Sequence, residues 1–174
     1  MAEWRKNAFA RLAEGENMAK QSAGLLMFRR RGGSIELLLV HPGGPFWAKK
    51  DDGAWSIPKG LFEEDEDALI AAQREFWEET GLRPDEPFIA LGVFRQPSGK
   101  RVHVWAFEGE FDLASFRSNS FAMEWPPRSG RMQEFPEADR AGWFSPDEAL
   151  VKMTKGQRAI VKALLERLDM KSLM

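Results

Sequence analysis

Three glutamates, Glu75, Glu78 and Glu79, stand at i, i+3 and i+4, the spacing that puts side chains on one face of an α-helix. Three adjacent carboxylates repel one another. A hard divalent cation such as Mg²⁺ or Mn²⁺ reverses that repulsion, because it prefers carboxylate oxygens and keeps part of its water shell. Arg74 lies four residues before Glu78 and can pair with it, and Glu66, about two turns earlier, can reach the same guanidinium. Such a buttress would fix the carboxylate rotamers. A merely solvated acidic helix has the same spacing, so helix geometry alone does not decide between a metal site and solvent.

The element carrying these acids is a helix predicted over residues 65–80. Leu69, Ala72, Phe76 and Thr80 fall on one stripe, Asp65 is the expected N-cap and Gly81 the C-cap. Two strands, over residues 23–29 and 35–41, are joined by a Gly-rich charged turn, and Pro42 ends the second because proline cannot donate to a ladder. Residues 42–60 carry four prolines or glycines in their first four positions and read as loop, with a short extended piece at 55–57. Residues 88–96 and 102–107 read as strands around a turn at 97–100. A strand is expected at 120–125, a loop at 125–130 and a short strand at 142–144. Ser145 caps a helix with Pro146 at its first position, and residues 156–168 form a last amphipathic helix with Ile160, Leu164, Leu165 and Leu168 on its stripe. This alternation describes an α/β layered domain, with residues 1–20 as an N-terminal extension and 21–170 as the domain.

Residues 60–82 read G-x5-E-x7-R-E-U-x-E-E-x-G-U, where U is a bulky apolar residue. Chance would produce that pattern at a rate on the order of 10⁻⁸–10⁻⁷ for a chain this size. It is the Nudix box with every fixed letter present, and Phe76 stands where the box more often has an aliphatic residue. The chain resembles the Nudix hydrolases. The flanks agree over about positions 20–168, through the opening strand, a Trp-x-x-Pro-Lys-Gly lead-in from Trp55 to Gly60, and a late Trp143–Phe144 before the last helices. The resemblance implies a Nudix fold, a mixed β-sheet sandwiched between helices (α/β/α). It also implies Mg²⁺- or Mn²⁺-dependent hydrolysis of a nucleoside diphosphate linked to another moiety, by water attacking a phosphorus of the bridge. Metal ions there neutralise phosphate oxygens, activate the water and stabilise the leaving group. On this basis Glu78, Glu79 and a backbone carbonyl near Gly60 are expected metal ligands. Glu75 is a ligand or the general base, Arg74 orients it, and Glu66 is structural. An acid outside the box is expected before the late Trp strand: Glu137 first, then Glu134, then Glu124.

The flanks of the box are similar to those of diadenosine polyphosphate hydrolases, and a related opening occurs in MutT-like enzymes that remove oxidised nucleotides. Lys59, Lys100 and Arg101 are candidate contacts to a polyphosphate chain, whose charge needs several cations. Phe46, Trp47 and Trp125 sit in loops where a purine can stack on them. His103 reads as an ordinary strand histidine. Tyrosine is absent, so no tyrosine clamps a base here. The leading expectation is a small nucleotide polyphosphate substrate such as a diadenosine polyphosphate. The alternatives are an oxidised dNTP, or a nucleotide sensor without turnover, a class that usually has a degenerate box.

Composition limits the other classes. The 174 residues suit one domain, and 25 Lys+Arg against 27 Asp+Glu give a net charge of −2, which supplies no basic field for a nucleic acid or an anionic membrane. No nucleic-acid or membrane partner is therefore expected. Cysteine is absent and only His41 and His103 are present, which excludes thiolate chemistry and a His-rich metal site. Residues 1–20 lack an apolar signal core. Cytoplasm is the default location, Met1 and Met18 are both candidate starts, and oligomeric state is open.

Overall fold

A computed structural model describes residues 21–172 of the chain; the extension over residues 1–20 lies outside the described residues. A mixed six-stranded sheet forms the centre. Its order is β4 (Ile89–Arg95), β5 (Arg101–Glu108), β1 (Gln21–Arg31), β2 (Ser34–Pro42) and β8 (Ala138–Phe144), with β3 (Lys59–Leu61) also pairing with β1. β1 is the hub. It runs parallel to β5 from Gln21 to Phe28, antiparallel to β3 at Ser22–Gly24, and antiparallel to β2 beyond Phe28.

A strand buried on both faces needs apolar residues at successive positions rather than alternate ones. In β1, Ala23, Leu25 and Met27 face the helix α1 (Ala68–Thr80), where Ala71, Ala72 and Phe76 meet them. Leu26 and Phe28 face the opposite layer of α2 (Pro146–Lys152) and α3 (Arg158–Ser172), which supplies Ala149, Ile160, Val161 and Leu164. The expected α/β/α sandwich is thus present. No helix among the described residues is long and apolar enough to cross a membrane.

Four local expectations need correction. The N-cap of α1 is Asp67, whose carboxylate accepts from the Ile70 N–H at 3.0 Å, not Asp65; the chain first makes a turn from Glu63 to Glu66. The end of the expected loop, Lys59 and Gly60, instead opens β3 (Lys59–Leu61). β7 (Met132–Pro136) pairs with β6 (Ser120–Glu124) as a separate two-stranded hairpin that the sequence did not reveal. The last helix begins at Arg158, after a single 3₁₀ turn over Lys155–Gln157. The Gly81 C-cap, in the left-handed conformation, and the Ser145 cap with Pro146 behind it stand as expected.

Candidate active site

Arg74 organises the acidic face of α1. Its Nε and Nη2 donate to the two oxygens of Glu66 at 3.1 and 3.2 Å, and Nη1 donates to Glu75 Oε1 at 2.9 Å. Glu78 Oε1 lies 3.5 Å from the same Nη1. Partial burial works against the guanidinium charge, but Glu75, Glu66 and Glu78 outweigh it and hold the Arg74 pKa above its ordinary value. Arginine alone offers this planar fork of donors.

Glu75 is buried at 2% exposure, and its carboxylate rests against Gly60 on β3. A Cβ on Gly60 would overlap that carboxylate, so the first glycine of the motif vacates the space in which Glu75 sits. Its β3 neighbour Lys59 uses its backbone N–H and its charge to favour ionised Glu79. Those effects lose. Burial of the carboxyl, then the charge of Glu75, push Glu79 up to about 8.

The third acid arrives from far along the chain. Backbone N–H groups of Arg117 and Asn119 donate to the carbonyls of Thr80 and Glu78, continuing from the end of α1. The Asn119 carbonyl then accepts from the Glu137 N–H at 2.8 Å, and the Glu137 carbonyl accepts from the Gly43 N–H at 2.9 Å. Clamped on both sides, Glu137 joins Glu75 and Glu79: one carboxylate oxygen of each lies within 4.8 Å of the others. These three could hold a cation, and an all-oxygen donor set suits Mg²⁺ or Mn²⁺. Glu78 is outside this trio, buried beside Arg74. Glu134 and Glu124 lie on the exposed β6–β7 hairpin and take no part in it.

The cluster opens into a cleft of about 560 Å³. Lys59, Glu79, Glu137 and Trp47 line it, together with Gln96–Ser98 of the β4–β5 turn and Thr154–Gln157 before α3. Lys100 and Arg101, at the far end of that turn, do not line it. Lys155 does, and sequence reasoning missed it. The only signal was a Lys-Gly pair ahead of the last helix. Phe46 and Trp125 pack edge to face at 5.4 Å instead of lining the cleft. His103 pairs with Gln21 Oε1 at 2.7 Å and meets the Phe62 ring.

Folded Glu79 keeps its proton to about pH 8, whereas the ordinary value is 4.5. Between these values the metal-free folded chain binds more protons than the unfolded one. The resulting contribution to stability is complete below about 4.5, declines as pH rises, and is lost above 8. His103, held below its usual 6.5 by burial and then by Arg101, acts in the opposite sense at lower pH. The difference between wild type and Glu79→Gln is therefore the clean readout. In EDTA, urea unfolding is expected to show the variant gaining on wild type from pH 5 to 8. A difference independent of pH would contradict a buried proton on Glu79.

The NUDIX domain model matches residues 18–164. An RNA pyrophosphohydrolase of Bartonella henselae is 32% identical over 68% of this chain and 73% of its own. One of Rhizobium meliloti is 33% identical over 47% and 54%. The chain spans just over half the length of two curated relatives it matches, 58% and 54%. The solved C. elegans Ap4A hydrolase binary complex shares the fold, with 21% identity, 85% of this chain and 98% of that chain covered, and a TM-score of 0.58. The motif at 60–82 runs from β3 through the turn at residues 63–66 into α1, the domain model runs through nearly all of the sandwich, and the chain belongs to the Nudix family.

Proposed function

We propose that this protein is a divalent-cation-dependent pyrophosphohydrolase acting on nucleotide polyphosphates, diadenosine polyphosphates first among them. The observation that carries the reading is the meeting of Glu75, Glu79 and Glu137, of which Glu79 and Glu137 line one cleft with Lys59. These carboxylates would hold Mg²⁺ or Mn²⁺, with Glu78 and the Gly60 carbonyl as further candidate ligands, and the bound ion would supply neutralisation of phosphate oxygens and acidification of the attacking water. Glu75 is a ligand in that set or accepts the proton of the water; in either role Arg74 and Gly60 fix its carboxylate. Lys59 offsets charge on the phosphate chain and adjoins Glu79. Lys100 and Arg101 remain candidates for phosphates that extend past the rim of the cleft.

A second reading is removal of pyrophosphate from RNA 5′ ends, favoured by the activity named for two relatives above 30% identity. Cleavage of oxidised dNTPs is a third, from the likeness of the opening strand to MutT-like enzymes. One panel separates them: Mg²⁺ with diadenosine polyphosphates, normal and oxidised dNTPs, ADP-ribose, and a 5′-triphosphorylated RNA oligomer, with products resolved by chromatography. Preferred cleavage of diadenosine tetraphosphate to ATP and AMP supports the first reading. Preference for the RNA or an oxidised dNTP replaces it, and no turnover with either metal refutes all three.

A further inference from the structure

We infer that the cleft binds a nucleoside 5′-polyphosphate with its nucleobase stacked on Trp47 and the far end of its phosphate chain held by Lys155. This deepens the reading above and rests on it for the position of the reacting phosphates.

Trp47 is the one of the three loop aromatics that lines the cleft, since Phe46 and Trp125 are engaged with each other. It is 37% exposed although it belongs to a firmly held loop. The loop leaves β2 at Pro42, just after the fully buried His41. His41 Nε2 hydrogen-bonds the Lys50 carbonyl at 2.6 Å, and Nδ1 hydrogen-bonds Asp139 Oδ1 at 2.8 Å. Between these anchors, the Lys50 N–H donates to the Trp47 carbonyl at 3.0 Å, and Lys50 Nζ lies 4.9 Å from the indole centroid. A ring positioned in advance stacks on a base without the entropy cost of ordering a loose loop.

The segment that carries Lys155 is equally fixed. Gly156 packs so closely on the β4–β5 turn that a Cβ there would stand 3.0 Å from Pro97 Cδ. Gln157 accepts from the Ile57 N–H and donates to Ser56 Oγ, both at 3.0 Å. Lys155 immediately precedes these two anchored residues, exposed and lining the cleft, and no acid among the described residues forms an ion pair with it. The cleft thus presents, around its carboxylates, one aromatic platform and two cations, Lys59 and Lys155. A chain of phosphates ending in a nucleoside suits that set of groups, and about 560 Å³ lies within the usual range for such ligands.

The test is calorimetric titration of the full chain in Mg²⁺ with the α,β-methylene analogues of ATP and GTP, and separately with inorganic tripolyphosphate. Trp47→Ala is expected to weaken the tighter nucleotide about 10-fold or more while leaving tripolyphosphate unchanged, and Trp47→Phe to recover most of the loss. Lys155→Ala is expected to weaken both ligands about 3-fold or more and to flatten their salt dependence. Equal losses for both ligands in Trp47→Ala, no loss, or no binding of any probe by wild type would each overturn the assignment. Binding as expected without turnover of any polyphosphate refutes the hydrolase reading and leaves the platform standing. Nucleotide turnover indifferent to Trp47→Ala does the reverse.

Discussion

Glu79→Gln is expected to lower metal-dependent turnover by roughly 10³-fold while leaving the fold intact. The amide keeps the shape of the side chain and one acceptor oxygen but cannot carry the negative charge that a divalent cation requires of its ligands. The native side chain already holds a proton at neutral pH in the metal-free protein, because its pKa lies at about 8. Glutamine therefore reproduces its electrical state in the folded chain, and thermal unfolding in EDTA should be almost unchanged at or below about pH 4.5, where the unfolded glutamate is protonated too, with the variant gaining on wild type as pH rises. A further difference emerges with metal. Wild type gains RT ln(1 + [M]/Kd) of stability as Mg²⁺ is added, and the variant should lose most of that gain. Glu134→Gln, on the exposed hairpin, should leave both turnover and the metal response as in wild type. Retained turnover in Glu79→Gln would remove the acidic cluster from the mechanism.

The helix that carries this site was legible because two independent signals coincide there, the apolar stripe ending at Phe76 and Thr80 and the spacing of the motif. Its first turn was not. Asp65 and Asp67 are both acceptable caps two residues apart, and the choice falls to Asp67 because residues 63–66 turn and bring Glu66 onto Arg74. β7 escaped notice because it contributes nothing to the core. Met132 is 65% exposed, and the strand pairs only with β6, so burial leaves no periodic pattern to read. Glu137 was the first choice from the family resemblance, by its place before the late Trp strand, but no local pattern marks it: its arrival beside Glu75 and Glu79 depends on main-chain hydrogen bonds through Arg117 and Asn119 to the end of α1, in which no side-chain type is encoded. Lys155 depends on Gly156 meeting Pro97 across about sixty residues of chain. Local chemistry was readable wherever one element carries it; where backbone contacts between distant segments bring it together, residue pattern alone gave no sign, and only the family resemblance reached Glu137.

The same distinction makes Gly60→Ala the more searching variant, because it leaves every charged group of the site in place. Gly60 is not among the residues with a positive φ, so its backbone accepts alanine without strain. It pairs with Ala23 in the β1–β3 ladder, and a methyl group does not disturb that pairing. The cost comes from Glu75, whose carboxylate occupies the space of the new Cβ. That carboxylate is buried and tied to Arg74 at 2.9 Å, so it has to shift or the sheet has to yield. Overpacking of this kind costs about 1–3 kcal/mol, which lowers Tm by roughly 2–4 °C per kcal/mol in a domain of this size. Displacing a catalytic carboxylate by about 1 Å is expected to reduce turnover about 100-fold. A double-mutant cycle identifies the cause. In a Glu75→Ala background the obstacle is gone, and Gly60→Ala should be nearly neutral for stability, giving a coupling of about 1–3 kcal/mol between two residues fifteen positions apart. Equal destabilisation in both backgrounds would mean that Gly60 serves the β3 backbone alone, and that the motif begins with glycine for a reason other than making room for Glu75.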